Sequence, residues 1–119
     1  MPYVATHRFA RMSAQKIRPL ARLVRGKTVD TALETMRYMP HRGARLLEKV
    51  IRSAQANAED LGVRHAEDLL LLDVRIDGGP MYKRILPGAR GMAHVLEHRM
   101  SHIHVKLEDP DRVFGEEEK

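Results

Sequence analysis

Apolar residues recur at helical spacing through the first half of the chain and at every second position in two later segments. Ile17, Leu20, Ala21 and Val24 share one face of a helix that follows Ser13, a residue suited to N-capping, and stops at Gly26. Lys16, Arg18, Arg22 and Arg25 fall largely on its other faces. Pro19 lies too far in to be a first-turn proline, so this helix either starts late, near Arg18, or has a distorted first turn. Thr28 is placed to cap a short second helix with Val29, Ala32, Leu33 and Met36 inward, ended by Pro40. A third helix is predicted from about Arg42 to Leu61, stopping at Gly62. Its apolar face is Leu47, Val50, Ile51, Ala54, Ala58 and Leu61, with Arg45, Lys49 and Arg52 as a basic stripe elsewhere. Ala54, Ala56 and Ala58 are small enough to admit another element closely.

Tyr3 to Met12 reads as a strand or extended arm. Leu70, Leu72, Val74 and Ile76 alternate with Leu71, Asp73, Arg75 and Asp77, a strand with one buried face that Gly78-Gly79-Pro80 should break. Ile103, Val105 and Leu107 alternate with His102, His104 and Lys106 in a further strand. Between these two strands, Met81 to Met100 form a stretch of 20 residues, long for a loop in a small domain. Pro87-Gly88 is a turn signal near its middle, which suggests a long hairpin with its tip there. Arms of about 8–10 residues would reach roughly 30 Å. An isolated two-stranded hairpin is marginal in water, and this one has no consistent apolar face. Its order should therefore come from an anionic surrounding. Phosphates of structured RNA would neutralise Lys83, Arg84 and Arg90, while Gly88, Ala89 and Gly91 let the backbone approach closely. A disordered basic loop is the competing reading.

Composition narrows the function classes. The 119 residues are expected to form one domain over 1–108, hairpin at about 79–100, with an acidic, disordered tail over 109–119. Aromatic content is 4% and Trp is absent, so a thin aliphatic core is expected. The formal charge is +5 and the pI about 9.9, which favours an anionic partner, nucleic acid before a membrane surface. With no cysteine there is no disulfide, thiol chemistry or Cys-based metal site, in keeping with a cytoplasmic protein. No apolar run approaches the length of a membrane span. The charge is also segregated. Met1 to Lys27 carries seven basic and no acidic residues, and Met81 to Lys106 five basic and one acidic. Between them, Glu59 to Pro80 has two basic and six acidic residues. If the fold joins the two basic segments, they make one phosphate-facing surface.

No catalytic constellation stands out. His94, His98, His102 and His104 would share a face of an uninterrupted strand, but the outer pair would lie about 30 Å apart, too far to share an ion. RNA hydrogen bonding or simple surface placement is the better reading, and neither metal nor cofactor is expected. Glu67, Asp68, Asp73 and Asp77 read as a solvated acidic face turned away from RNA rather than as acid/base chemistry. No nucleophile motif, phosphate-binding loop or dinucleotide fingerprint occurs, so an enzyme is not expected. Tyr82 is placed to stack on a base or pack within the hairpin, and Met92 to touch RNA bases or the surface around the tip.

Four blocks, in order, resemble a known family. They are Ser13-Ala14-Gln15-Lys16-Ile17-Arg18 with Leu23-Val24-Arg25-Gly26-Lys27, and Lys49 to Glu59 (KVIRSAQANAE). Then come Asp77-Gly78-Gly79-Pro80 with Lys83-Arg84, Pro87 and Ala89-Arg90-Gly91, and finally Arg99-Met100-Ser101-His102-Ile103. Together they resemble the universal large-subunit ribosomal proteins whose hairpin lines the nascent-peptide exit tunnel, number twenty-two in bacterial large-subunit naming. The resemblance runs from about residue 5 to 107. It implies an α+β fold, three helices packed on a three-stranded antiparallel sheet with one long protruding β-hairpin. It implies a non-enzymatic structural constituent of the cytoplasmic ribosome. That constituent would bind large-subunit rRNA, bridge RNA domains during assembly and meet neighbouring ribosomal proteins, with nascent peptide near the tip as a further partner. Changes in the hairpin of this family can affect macrolides bound in the tunnel.

The expected rRNA contacts are Arg8, Arg11, Lys16, Arg18, Arg22, Arg25 and Lys27 from the body, and Lys83, Arg84, Arg90, Arg99 and His102 from the hairpin and its strand. The tip would comprise Ile85, Leu86, Pro87, Gly88, Ala89, Arg90, Gly91 and Met92. The family usually has basic residues where this chain has Gly88 and Met92, so its tip is less cationic. Two rival readings are a non-ribosomal DNA or RNA module, which would not co-sediment with large subunits, and an RNA-processing enzyme, which would need a catalytic cluster in a cleft.

Overall fold

Three helices cover one face of a three-stranded antiparallel sheet, and two of its strands run on beyond the helices as a hairpin. The structure is a computed structural model and describes residues 2–111. The tail from residue 112 onward, most of the predicted acidic extension, lies outside the described residues. The elements are β1 (Tyr3–Ala10), α1 (Ala14–Val24), α2 (Val29–Tyr38), α3 (Arg42–Asp60), β2 (Leu70–Pro87) and β3 (Ala93–Glu108). The sheet order is β1-β3-β2, which puts β3 in the centre.

The core is aliphatic, as the composition implied. Ile17, Leu20, Ala21 and Val24 of α1, Val29, Ala32 and Met36 of α2, and Leu47, Val50, Ile51, Ala54 and Ala58 of α3 are buried against Val74, Ile103, Val105 and Leu107. Ala54 and Ala58 of α3 are buried in the same core as Ala5 and Ala10 of β1, whereas Ala56 is exposed, and Asn57 Nδ2 donates to the Val4 carbonyl at 3.0 Å. Thr28 caps α2 as predicted, accepting from the Thr31 N–H. Arg45 closes the other end of α2. Its guanidinium donates to the Met36, Arg37 and Met39 carbonyls and to Glu48. Glu48 is also held by Arg52 at 2.6 Å, so a nearly buried carboxylate is clamped between two arginines.

Several expectations are corrected. Helix α1 starts at Ala14, not near Arg18. Its first turn is tightened by a Lys16 N–H to Ser13 carbonyl bond, and Pro19 is accommodated on the exposed side. Strand β1 ends at Ala10 rather than Met12. Leu61, assigned to the apolar face of α3, is 72% exposed, because the helix ends at Asp60 and the chain turns at Gly62, whose φ is +95°.

In β2 the inward face is Leu71, Val74 and Ile76, and Leu72 points out. A bulge between Leu71 and Asp73 inserts one residue and reverses the alternation. Leu71 is fixed from its other edge by bonds with Gly26 N–H and the Lys27 carbonyl, both 2.9 Å. Gly78-Gly79-Pro80 does not break the strand either. The ladder passes through a second bulge, with Gly78 opposite Ser101 and Met81 opposite Arg99. Gly79 packs there against the Met100 backbone, where an added Cβ would lie 3.1 Å from the carbonyl oxygen. Pro80, lacking an N–H, is tolerated at such an irregularity.

The hairpin is formed as a continuous ladder from Met81↔Arg99 to Pro87↔Ala93 rather than left as a structureless loop. Residues 80–99 are all exposed except the half-buried Gly88. The molecule measures 67 × 27 × 26 Å with a radius of gyration of 17.7 Å, against about 13.5 Å for a compact chain of this length.

Candidate nucleic-acid interface

The two basic segments, far apart in sequence, meet at the root of the hairpin. A groove of about 1370 Å³ lies between the start of α1, the start of α3 and the hairpin strands. Arg11 and Lys16 line it from the body, Arg42 from α3, and Arg84 and Arg99 from the hairpin. Tyr82, His98, Met12 and Met100 give it flat and apolar surface. Its one carboxylate, Glu97, sits 3.6 Å from Arg99. Five cationic side chains against one carboxylate make the groove strongly positive, which suits phosphate.

Two helix ends add to this field. The N-cap residues of α1 and α3, Ser13 and His41, make no side-chain cap bond, and the first turns hold no acidic residue but Lys16 and Arg42. Helix α2 has both a Thr28 cap and Asp30. Cations at the positive end of a helix dipole are unfavourable in isolation and become favourable when an anion sits among them.

The predicted contact residues divide into groups. Arg11, Lys16, Arg84 and Arg99 are brought together at the groove. Arg22 and Lys27 are exposed on the body, away from the groove lining. Arg18 and Arg25 have an internal task that sequence reasoning missed. Arg18 donates twice to the Ile76 carbonyl at 3.2 Å, and Arg25 donates to the Val74 carbonyl, tying α1 to β2. Lys83 stands opposite Glu97 in the ladder, and the Arg84 guanidinium lies 5.5 Å from the Tyr82 ring centroid. Arg90 is at the tip with a positive φ of 60°, beside Gly91 at +74°. Arg42 lines the groove but was not foreseen. The missed signal was a basic residue at an uncapped helix start.

Gly88 has a physical reason to lack a side chain. A Cβ there would lie 2.5 Å from the His94 ring and 2.7 Å from the Met92 carbonyl oxygen. The Gly88 N–H closes the tip onto that same carbonyl.

Arg8 and Phe9 occupy a bulge between His7 and Ala10 of β1. Phe9 adopts φ +61°, an outlier for a bulky side chain that costs about 1–3 kcal/mol. Its N–H donates to His102 Nδ1 at 3.0 Å, its ring meets the His102 ring edge-on at 5.1 Å, and the Arg8 guanidinium lies 5.4 Å from its centroid. Phe9 too was missed. Its signal was an aromatic between Arg8 and Arg11 in a chain almost without aromatics.

Of the histidines and carboxylates weighed above, His94, His98, Glu67, Asp68 and Asp73 are exposed. His104 bonds Thr6 at 3.2 Å and Asp77 at 3.1 Å, and Asp77 also pairs with Arg75 at 3.3 Å. On the outer sheet surface Asp77 is thus shared between Arg75 and His104. Among the described residues, one group of three brings possible ligand atoms within 4.8 Å, namely His65, Glu67 and Asp68. All three are exposed in a connecting turn, with His65 and Glu67 paired at 3.6 Å. No described helix is long and apolar enough to cross a membrane.

The chain is 56% identical over 108 residues to the large ribosomal subunit protein uL22 of Rhodopirellula baltica, covering 87% of this chain and 91% of that protein. Residues 5–108, from the middle of β1 to the end of β3, match the family model described as ribosomal protein L22p/L17e. The chain belongs to the ribosomal protein L22p/L17e family, whose members are structural, non-enzymatic components of the ribosome.

Proposed function

We propose that this protein is a structural constituent of the large ribosomal subunit that binds large-subunit rRNA through the groove at the hairpin root. In this reading its hairpin lies along the wall of the polypeptide exit tunnel. The observation that carries the reading is the convergence of Arg11, Lys16, Arg42, Arg84 and Arg99, drawn from three separate parts of the chain, around one groove with a single carboxylate. Phosphate is the ligand such a groove suits, and the exposed Tyr82 and His98 rings offer stacking surface for bases.

Arg8, Arg22, Lys27 and His102 would extend the contact over the body, and Lys83 and Arg90 along the hairpin. Arg18 and Arg25 would use the guanidinium donors left over from their bonds to β2. A body and a finger spread over 67 Å can hold RNA segments that are distant from one another, which supports a bridging role in assembly. Neighbouring ribosomal proteins are further partners, and the tip residues Ile85 to Met92 would lie where nascent peptide passes.

The test is filter binding of large-subunit rRNA fragments across a salt series. Affinity should fall steeply with salt, because each phosphate neutralised steepens the fall of log K with log salt by about 0.7–0.9. A flat response would count against the reading. Sedimentation of the native protein from lysate should place it with large subunits. A non-ribosomal nucleic-acid module would stay near the top of the gradient.

A further inference from the structure

We infer that Phe9 is a stacking platform for one unpaired base of the bound RNA. The inference rests on the RNA-binding reading above and assigns a residue and a ligand chemistry to it. Phe9 is 48% exposed, yet it is held more firmly than an incidental surface ring. Its backbone N–H donates to His102 Nδ1, and its ring packs against the His102 ring at a centroid distance of 5.1 Å and an interplanar angle of 86°. The bulge that presents it runs through a positive φ, which glycine would adopt without strain. Strain kept at a rigid, exposed aromatic points from geometry to use.

The chemistry around the ring selects the ligand. Arg8 lies over the ring, and Arg11, two residues on, lines the cationic groove. Asp77, opposite His102 in the ladder, is already paired with Arg75 and His104, so it adds little repulsion. A purely apolar protein partner would have to desolvate the flanking arginines without pairing them. A nucleotide offers a flat π-face and a phosphate together. Bases inside a duplex are already stacked, so the base must come from a loop, bulge or end.

The chain has no tryptophan, so Phe9→Trp gives the full-length protein a single indole reporter. Titration with a large-subunit rRNA transcript should quench its emission as binding, followed separately by filter retention, saturates. Phe9→Gly should keep or raise the melting temperature and weaken RNA affinity by about tenfold, the scale of one lost base–aromatic stack. Its salt slope should match wild type, since no phosphate contact is lost, whereas Arg11→Ala should lower the slope by about one. Phe9→Tyr should bind normally, and Phe9→Leu should lose affinity as the glycine variant does. Bound RNA with an unquenched indole, or glycine and leucine variants that bind like wild type, would overturn the inference while leaving the RNA reading intact. A wild-type chain that fails to bind the transcript would remove the RNA reading and this inference with it.

Discussion

Strands β2 and β3 form one ladder, but its two halves are built on different physics. Below Gly78, Leu71, Val74 and Ile76 pair across to Leu107, Val105 and Ile103, and all six are buried under the helices. Above it, Ile85 faces Val95 and Arg84 faces Leu96 with the same hydrogen-bond pattern, and every one of these side chains is exposed. Pairing alone therefore does not distinguish a core strand from a finger. What distinguishes them is whether apolar area leaves water on folding, and in the finger it does not.

This contrast can be broken most sharply by truncation. Leu47→Ala or Ile103→Ala should cost the body about 2–5 kcal/mol in chemical denaturation, because both side chains are fully buried. Ile85→Ala, an equally apolar residue on the same ladder, should stay within about 0.5 kcal/mol. A large loss from Ile85→Ala would mean that the finger packs against something of its own.

A second test moves from folding to binding. Arg84→Ala with Arg99→Ala removes two of the groove's five cations from the hairpin side and leaves the helix-covered core untouched. The expected result is an unchanged melting temperature and a salt slope for rRNA binding lower by about two. If affinity falls with no change in slope, these arginines do not meet phosphates.

Most of the body was legible in the sequence, since helix α3, the Thr28 cap and the inward set Ile103, Val105 and Leu107 follow from periodicity and local chemistry. The turn at Pro87-Gly88 was legible for the same reason. What escaped was set by partners distant in the chain. Leu71 rather than Leu72 faces inward because the ladder bulges between Leu71 and Asp73, where Gly26 and Lys27 bond the backbone from the other edge, and nothing near residue 71 records that. The destinations of Arg18 and Arg25 depend on carbonyls of β2, so a count of basic residues assigned them to RNA alone. Phe9 escaped because its bulge arises from the register of β1 against β3.

A third prediction concerns Arg45, an arginine of the body that does not line the groove. Arg45 is basic like the groove residues, but its donors close the end of α2 and hold Glu48. Arg45→Met keeps much of the stem and removes those bonds, leaving Glu48 with Arg52 alone. The expected cost is about 1–3 kcal/mol of stability, with rRNA affinity and salt slope unchanged. The opposite pattern, full stability with weakened binding, would move Arg45 to the phosphate-facing set.

The smallest effect on stability should come at the far end of the finger, and it separates local shape from global fold. At Gly88 a methyl group would strike the His94 ring at 2.5 Å, so Gly88→Ala must push that ring away or open the Gly88 to Met92 closure. The strain stays local, because no core residue lies near the tip and residues 80–99 are solvent-facing. The melting temperature should therefore stay within about 1–2 °C, as a perturbation of a few tenths of a kcal/mol implies for a domain of this size. Amide chemical shifts from Leu86 to His94 should move while those of the body stay fixed. Combining Gly88→Ala with His94→Ala removes the colliding ring and should restore much of the wild-type pattern at Arg90 and Gly91. If the double variant remains as perturbed as the single one, the tip is shaped by its backbone closure rather than by the contact with His94. The finger's end would then be set independently of its flanking side chains.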